Sequence, residues 1–183
     1  MTASWTANNL TTELLPPDHA NAYWGIAYVN YFGGTKRVFR CPSARVVDEW
    51  REDGRRFPSD WWLDSSYGIN RYVGVDYKTE SPRRTSLVQS PTTTVFAQDA
   101  AEQRMEGPDD SLGLFPGKTE NLTQWKYDLA SLYPGRRMEY EWYRHVRKCN
   151  TLWIPGNVSS IRQSKGVDYR WYTGDTPIQS PGF

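Results

Sequence analysis

Short runs rich in Val, Ile, Thr and aromatic residues recur along the chain and are separated by clusters of Gly, Pro, Ser and Asp. This alternation is typical of strands joined by turns. The pattern predicts strands over Lys36–Cys41, Ser66–Val75, Thr92–Gln98, Asn150–Ile154, Val158–Arg162 and Tyr169–Thr173. The fourth and fifth of these flank Pro155, Gly156 and Asn157, a loop of hairpin length, so we expect them to pair with each other.

Helical periodicity is confined to two segments. Residues 43–51 follow Pro42, which is favourable in a first helical turn. Residues 121–132 place Leu122, Trp125, Leu129 and Leu132 on one helical face before Pro134 and Gly135. Together with the strands, these segments predict a single α+β domain: an antiparallel sheet with hairpins, short helices and long loops.

Composition changes this picture in one respect, the nature of the core. Leu, Ile, Val and Phe are scarce, but aromatic residues make up 15% of the 183 residues and include 9 Trp and 12 Tyr. A net charge of +1 with this aromatic content excludes whole-chain disorder, and it predicts an aromatic core. The near-neutral charge also argues against a nucleic-acid or anionic-membrane partner. We see neither a membrane-spanning apolar run nor a signal peptide at the N-terminus.

The chain offers few residues for catalysis or metal binding. Its histidines are His19 and His145, and its cysteines are Cys41 and Cys149. A Cys–His nucleophile is conceivable, but the spacing matches no hydrolase or zinc motif. The adjacent acids Asp109 and Asp110 lack the alternating oxygen ligands of a calcium loop. We therefore predict a protein that is not an enzyme, with no catalytic residue, cofactor or metal.

Two aromatic segments are candidate contacts. Residues 136–148 interleave cations with aromatic residues, which suits either a stacking platform or a strand with alternating faces; the interspersed Glu139 and Glu141 favour the strand. Trp61 and Trp62 are adjacent, so one of them is expected to be exposed if they lie on a strand. That pair could contact a carbohydrate or a partner, or could cover the core.

Three segments, in order, resemble a known family. They are residues 38–43 (VFRCPS), residues 66–72 with 87–99 (SYGINRY and LVQSPTTTVFAQD), and Arg144-His145 followed after nine residues by Pro155-Gly156. Together they resemble the prepilin-type, processing-associated family defined by a His-X9-Asp-Gly motif, whose members are pseudopilin-like proteins. The match covers about residues 36–162. Pro155 replaces the family's Asp, so we interpret His145, Pro155 and Gly156 as a structural motif that closes a hairpin, with His145 bonded to nearby backbone.

The resemblance implies a type IV pilin-like globular head over residues 36–183, preceded by a segment, 1–35, that follows the family's N-terminal membrane helix. That anchor helix is absent from this sequence; we expect a longer protein cut to its head rather than a gene product that lost its anchor. The implied role is a non-enzymatic structural or recognition subunit of a type II secretion or type IV pilus-like system, located outside the cytoplasm. Its partners would be other pilin-like subunits, with secreted cargo or a surface glycan as further ligands. The alternative is a free extracellular carbohydrate-binding module that uses exposed Trp61, Trp62 or Trp171.

The cysteines admit two interpretations from the residues alone, a pair of buried thiols or one long-range disulfide. The extracytoplasmic location implied by the resemblance favours a Cys41–Cys149 disulfide, since disulfides persist there. Closing so long a loop would stabilise the fold by up to about 4–5 kcal/mol.

Overall fold

The computed structural model describes residues 28, 31–33, 36–45, 66–79, 81–100, 104–105, 119–120, 139–162 and 167–181. The predicted helices over 43–51 and 121–132, and the predicted domain segment 1–35, lie largely or wholly outside these residues. No helix within the described ranges is long and apolar enough to cross a membrane.

Four antiparallel strands form the centre of the described fold. They are β1 (Tyr67–Asn70), β2 (Val95–Asp99), β5 (Lys148–Trp153) and β6 (Val158–Arg162), with two-residue strands β3 (Arg104–Met105), β4 (Thr119–Glu120) and β7 (Val167–Asp168). The main sheet has the order β3-β1-β2-β5-β6, in which β3 runs parallel to β1. Strands β4 and β7 form a separate antiparallel pair.

Short helical turns connect the strands. The α-helical turns are α1 (Glu139–Trp142) and α2 (Arg170–Thr173), and 3-10 turns span Lys36–Phe39, Arg71–Val73, Thr85–Leu87 and Pro91–Thr93. Two of these turns have a clear local cause in the sequence. Asn70 caps the second 3-10 turn by accepting a hydrogen bond from Tyr72 N, and Gly174, at φ 81°, ends α2 in the left-handed conformation.

One face of β5 packs against the core. Inward positions alternate along β5, where Cys149, Thr151 and Trp153 are buried, as expected for a strand with one packed face. The main cluster of buried side chains is largely aromatic and comprises Tyr72, Val95, Ala100, Trp142, Tyr143, Cys149, Trp153, Ile161, Tyr169, Trp171 and Tyr172. Aromatic side chains therefore supply much of the area that aliphatic residues bury in other domains.

The strand predictions are correct at the centre and wrong at the periphery. The hairpin of β5 and β6 is present, with Val158–Arg162 at the predicted bounds and Leu152 opposite Val158. Strands β1 and β2 are shorter than predicted because 3-10 turns adjoin them. Three strand predictions are wrong: Lys36–Phe39 is a 3-10 turn, Tyr169–Thr173 contains α2, and the 136–148 segment contains α1. At α2 the Asp168 carboxylate accepts a hydrogen bond from Arg170 N, which favours a turn over the strand that the aromatic composition predicts.

Candidate functional site

A cysteine, an aspartate and a histidine from distant parts of the sequence converge at the end of the central strand β2. Cys41 follows the first 3-10 turn, Asp99 is the last residue of β2, and His145 lies in the turn between α1 and β5. The Cys41 sulfur lies 3.5 Å from His145 Nε2, and Asp99 Oδ2 lies 3.3 Å from the same nitrogen. The three potential ligand atoms all lie within 4.8 Å of one another.

Asp99 is the centre of this cluster. Its side chain is fully buried, and Oδ1 accepts a hydrogen bond from Arg144 Nη2 at 2.6 Å. Oδ2 accepts a second from the backbone N–H of Asn150 at 2.7 Å, so the oxygen that faces His145 is already fixed in direction. Pairing and hydrogen bonding of this kind are what allow a carboxylate to be buried.

Arg144 connects the site to the surrounding backbone. Only 2% of its side chain is exposed, and its guanidinium donates to the carbonyl oxygens of Ser66, Ala100 and Glu141 as well as to Asp99. The guanidinium carbon also lies 5.6 Å from the centre of the Tyr67 ring, within the range of a cation–π contact. This one side chain therefore joins β1, α1 and the end of β2.

Cys41 is held from its backbone. Its N–H donates to Ser66 Oγ at 2.6 Å, and that hydroxyl donates in turn to the Phe39 carbonyl at 3.2 Å. Ser66 is fully buried, immediately before β1. The sulfur position is thus determined by contacts that do not involve the sulfur itself.

Burial dominates the electrostatics of the site. It raises the pKa of the Asp99 carboxyl above its ordinary value, while the Arg144 charge, the Asn150 N–H and His145 act in the opposite direction. The pKa of Tyr67 is also raised, first by burial and then by the neighbouring Cys41 and Asp99. Burial raises the pKa of Cys149 well above the ordinary thiol value, so Cys149 is held as an inert thiol.

His145 begins a strained turn. Its backbone N–H and carbonyl pair with the carbonyl and N–H of Lys148 at 3.2 and 3.1 Å. The two residues between them, Val146 and Arg147, have φ values of 55° and 60°, a left-handed conformation that is rare for non-glycine residues and especially for a β-branched one. Such a two-residue turn normally uses Asn-Gly.

The arrangement differs from that of a nucleophile, base and orienting acid. In such a triad the acid contacts the ring nitrogen opposite the one that faces the nucleophile. Here Cys41 and Asp99 lie against the same nitrogen, and Cys41 is 3% exposed. The geometry favours a Cys/Asp/His set that converges on one point, which is how metal ligands are placed.

The predicted disulfide is wrong: Cys41 and Cys149 are separate buried thiols. The physical reason is that each sulfur is directed to a different partner. The Cys41 sulfur contacts the His145 ring, whereas the Cys149 sulfur donates to the Asp99 carbonyl at 3.5 Å.

Two further expectations need correction. Trp171 is buried, and its Nε1 donates to the Gln179 carbonyl at 2.7 Å, so it is not an exposed ligand contact. The His145 ring contacts the side chains of Cys41 and Asp99 rather than nearby backbone. Trp61 and Trp62 lie outside the described residues.

The remaining predicted positions fall into the hairpin and the core. Pro155 and Gly156 form the turn between β5 and β6, where Gly156 has φ 96° and its N–H donates to the Trp153 carbonyl. Trp142 and Tyr143 of the proposed stacking segment are fully buried, which excludes them as an exposed platform.

Sequence reasoning singled out Cys41 and His145 but gave no role to Asp99 or Arg144. The signal was nonetheless present, because Cys41, Asp99 and His145 each come from one of the three segments that carry the family resemblance. No known family, curated protein or solved structure matches the chain in the comparisons with known proteins.

Proposed function

We propose that this chain is the globular head of a pseudopilin-like protein. Its function is that of a non-enzymatic structural or recognition subunit in a type II secretion or type IV pilus-like assembly, outside the cytoplasm. The observation that carries the proposal is that the three segments resembling this family meet in one buried network around Asp99.

The contacts between these segments support a structural role for the residues that resemble the family motifs. Cys41 from the first segment and His145 from the third contact each other, and Asp99 from the second contacts His145. Asn70, also from the second segment, donates hydrogen bonds to the Val95 and Tyr172 carbonyls at 2.8 Å each. The motif residues thus bind one another and the backbone, as expected of residues that maintain a fold.

A head of this kind acts through its surface, and one apolar surface is a candidate contact for neighbouring subunits. Leu87 and Ile178 are 67% and 79% exposed. Their segments lie side by side, since Gln89 N donates to the Gly174 carbonyl and Ser90 Oγ to Thr176 Oγ1. We propose other pilin-like subunits as the partners of this surface, with secreted cargo or a surface glycan as further ligands and no nucleic acid.

The test is site-specific photocrosslinking in cells of the source organism. A photoreactive amino acid at Leu87 or Ile178 should crosslink to pilin-like subunits, which mass spectrometry of the sheared surface fraction identifies. The exposed Lys78 is the matched control position and should give far less product. A head found only in the cytoplasm, or crosslinked equally from all three positions, would contradict the proposal.

A glycan array separates the alternative, a carbohydrate-binding module. Binding that is lost in both Trp61→Ala and Trp62→Ala variants would favour that module. Binding to no glycan, with crosslinks to pilin-like subunits, would favour the structural subunit.

A further inference from the structure

We propose that Cys41, Asp99 and His145 form a binding site for a divalent transition-metal ion of the zinc class. A thiolate, an imidazole nitrogen and a carboxylate oxygen are the three ligand types that zinc takes from proteins. Among the described residues this is the group whose ligand atoms converge closely enough, within 4.8 Å. The inference is independent of the pilin-like function, since it depends only on the geometry of these side chains.

Two of the three ligand-to-ligand separations match those around a tetrahedral zinc ion. Bonds of about 2.3 Å to sulfur and about 2.0–2.1 Å to nitrogen and oxygen place tetrahedral S and N ligands about 3.6 Å apart, and N and O ligands about 3.3 Å apart. The observed separations are 3.5 Å for Cys41 Sγ to His145 Nε2 and 3.3 Å for His145 Nε2 to Asp99 Oδ2. A charged N–H···O bond is shorter, about 2.7–2.9 Å.

Neighbouring groups hold the Asp99 carboxylate and the Cys41 backbone in place. The Asn150 N–H and Arg144 fix the Asp99 carboxylate at 2.7 and 2.6 Å, and Ser66 Oγ fixes the Cys41 backbone at 2.6 Å. Partners of this kind orient metal ligands and tune their affinity. His145 directly precedes the strained residues Val146 and Arg147 in the turn between α1 and β5, so backbone strain accompanies the position of the third ligand.

Charge and access also permit an ion here. Arg144 already balances the negative charge of Asp99. The charge of a divalent ion would therefore be balanced in part by Cys41, which becomes a thiolate when the ion binds. On binding, the Cys41 S–H bond breaks, an S–metal bond forms, and the proton passes to water. The His145 side chain is 32% exposed, which opens the cluster to solvent on one side and allows a water molecule as the fourth ligand.

The purified full chain is dialysed against EDTA in the presence of a phosphine reductant, which keeps the thiols reduced. CoCl2 is then titrated into it. Cobalt is a spectroscopic substitute for zinc and gives a thiolate-to-cobalt charge-transfer absorption when sulfur binds it. We expect this absorption to saturate at one equivalent and to disappear when ZnCl2 displaces the cobalt. Cys41→Ala and His145→Gln should each weaken binding by at least about 100-fold, since loss of an outer partner alone costs about 10–100-fold.

The matched controls are the chain's other cysteine and histidine, as Cys149→Ala and His19→Gln, which should keep the absorption and the affinity. The proposal is overturned if the folded wild type gives no charge-transfer absorption, if Cys41→Ala keeps it, or if only Cys149→Ala loses it. Should Cys41→Ala fail to fold by circular dichroism, calorimetric ZnCl2 titration of His145→Gln against His19→Gln decides the question. Equal affinity in those two variants would then refute the site.

Discussion

Asn70 joins three elements of the fold, and its replacement by aspartate removes two hydrogen-bond donors and adds a buried carboxyl. The side chain is 2% exposed. Its Nδ2 donates to the carbonyls of Val95 and Tyr172 at 2.8 Å each, while Oδ1 accepts from Tyr72 N at 3.0 Å. Asn70→Asp keeps the shape and the acceptor, but it directs a carboxylate oxygen at two carbonyl oxygens.

The size of the effect follows from these contacts. Each carbonyl that loses its buried donor costs about 1–3 kcal/mol, so the two together cost about 4 kcal/mol at neutral pH. The total free energy of unfolding of a domain is about 5–15 kcal/mol, so the variant loses a large part of it. For a chain of this length each kcal/mol shifts the melting temperature by about 2–4 °C, which predicts a fall of about 8–16 °C.

Urea denaturation followed by tryptophan fluorescence measures the loss directly. The penalty should shrink as the pH falls toward about 4, because burial raises the pKa of the new carboxyl and its protonated form again donates one hydrogen bond. Asn150→Asp is the matched control, because Asn150 lies on the more exposed face of β5 and its side-chain Oδ1 accepts from Ser160 Oγ at 2.8 Å, an acceptor that aspartate keeps. Equal unfolding midpoints for the two variants would refute the assignment of these donors.

Three further predictions concern turns and a buried hydroxyl, and all are measured as changes in denaturation midpoint. The double substitution Val146→Asn with Arg147→Gly should stabilise the fold by about 1–2 kcal/mol, because it places the residues preferred in a left-handed turn where φ is 55° and 60°; an unchanged midpoint would contradict the strain. Gly174→Ala should cost about 2–3 kcal/mol, since φ is 81° and the new Cβ would lie 2.8 Å from a valine side chain; Gly156→Ala has only the positive φ and should cost about 1 kcal/mol. The reverse order would refute the packing argument. Tyr143→Phe removes a buried hydroxyl that has no hydrogen-bond partner among the described residues, so we expect a gain of about 1 kcal/mol. Burial raises the pKa of Tyr143 in the folded state, so above about pH 10 this tyrosine ionises in the unfolded chain but not in the folded one. The wild type therefore loses stability as the pH rises above about 10, and the Tyr143→Phe variant should lose less.

The sequence predicted those elements whose signals are local. Val158–Arg162 was recognised because alternating residues follow a turn that contains Gly156, and the structure retains both features. Tyr169–Thr173 was misassigned because aromatic residues favour strands on average, whereas the Asp168 carboxylate accepts a hydrogen bond from Arg170 N where the helix begins. The amino-acid composition of a segment does not reveal such a contact.

The candidate site was only partly predictable for a different reason. Cys41 and His145 are 104 residues apart, and their proximity depends on the pairing that brings β1 and β2 together, with Tyr67 opposite Asp99. Spacing rules for metal or catalytic motifs apply to ligands that are close in sequence. The residues of this site come from three separate segments that the strand register brings together, so the sequence shows no characteristic spacing between them.

The hydrogen bond from Asn70 to the Tyr172 carbonyl also constrains when the protein can fold. It joins residues 102 positions apart, and the Cys41–His145 contact spans a similar distance along the chain. Contacts of such long range form slowly, because closing the intervening loop costs chain entropy before the contact repays it. The hydrogen bond from Asn70 can therefore form only once the chain as far as Tyr172 is present, and until then the aromatic residues of the unfinished core stay exposed to non-native contacts.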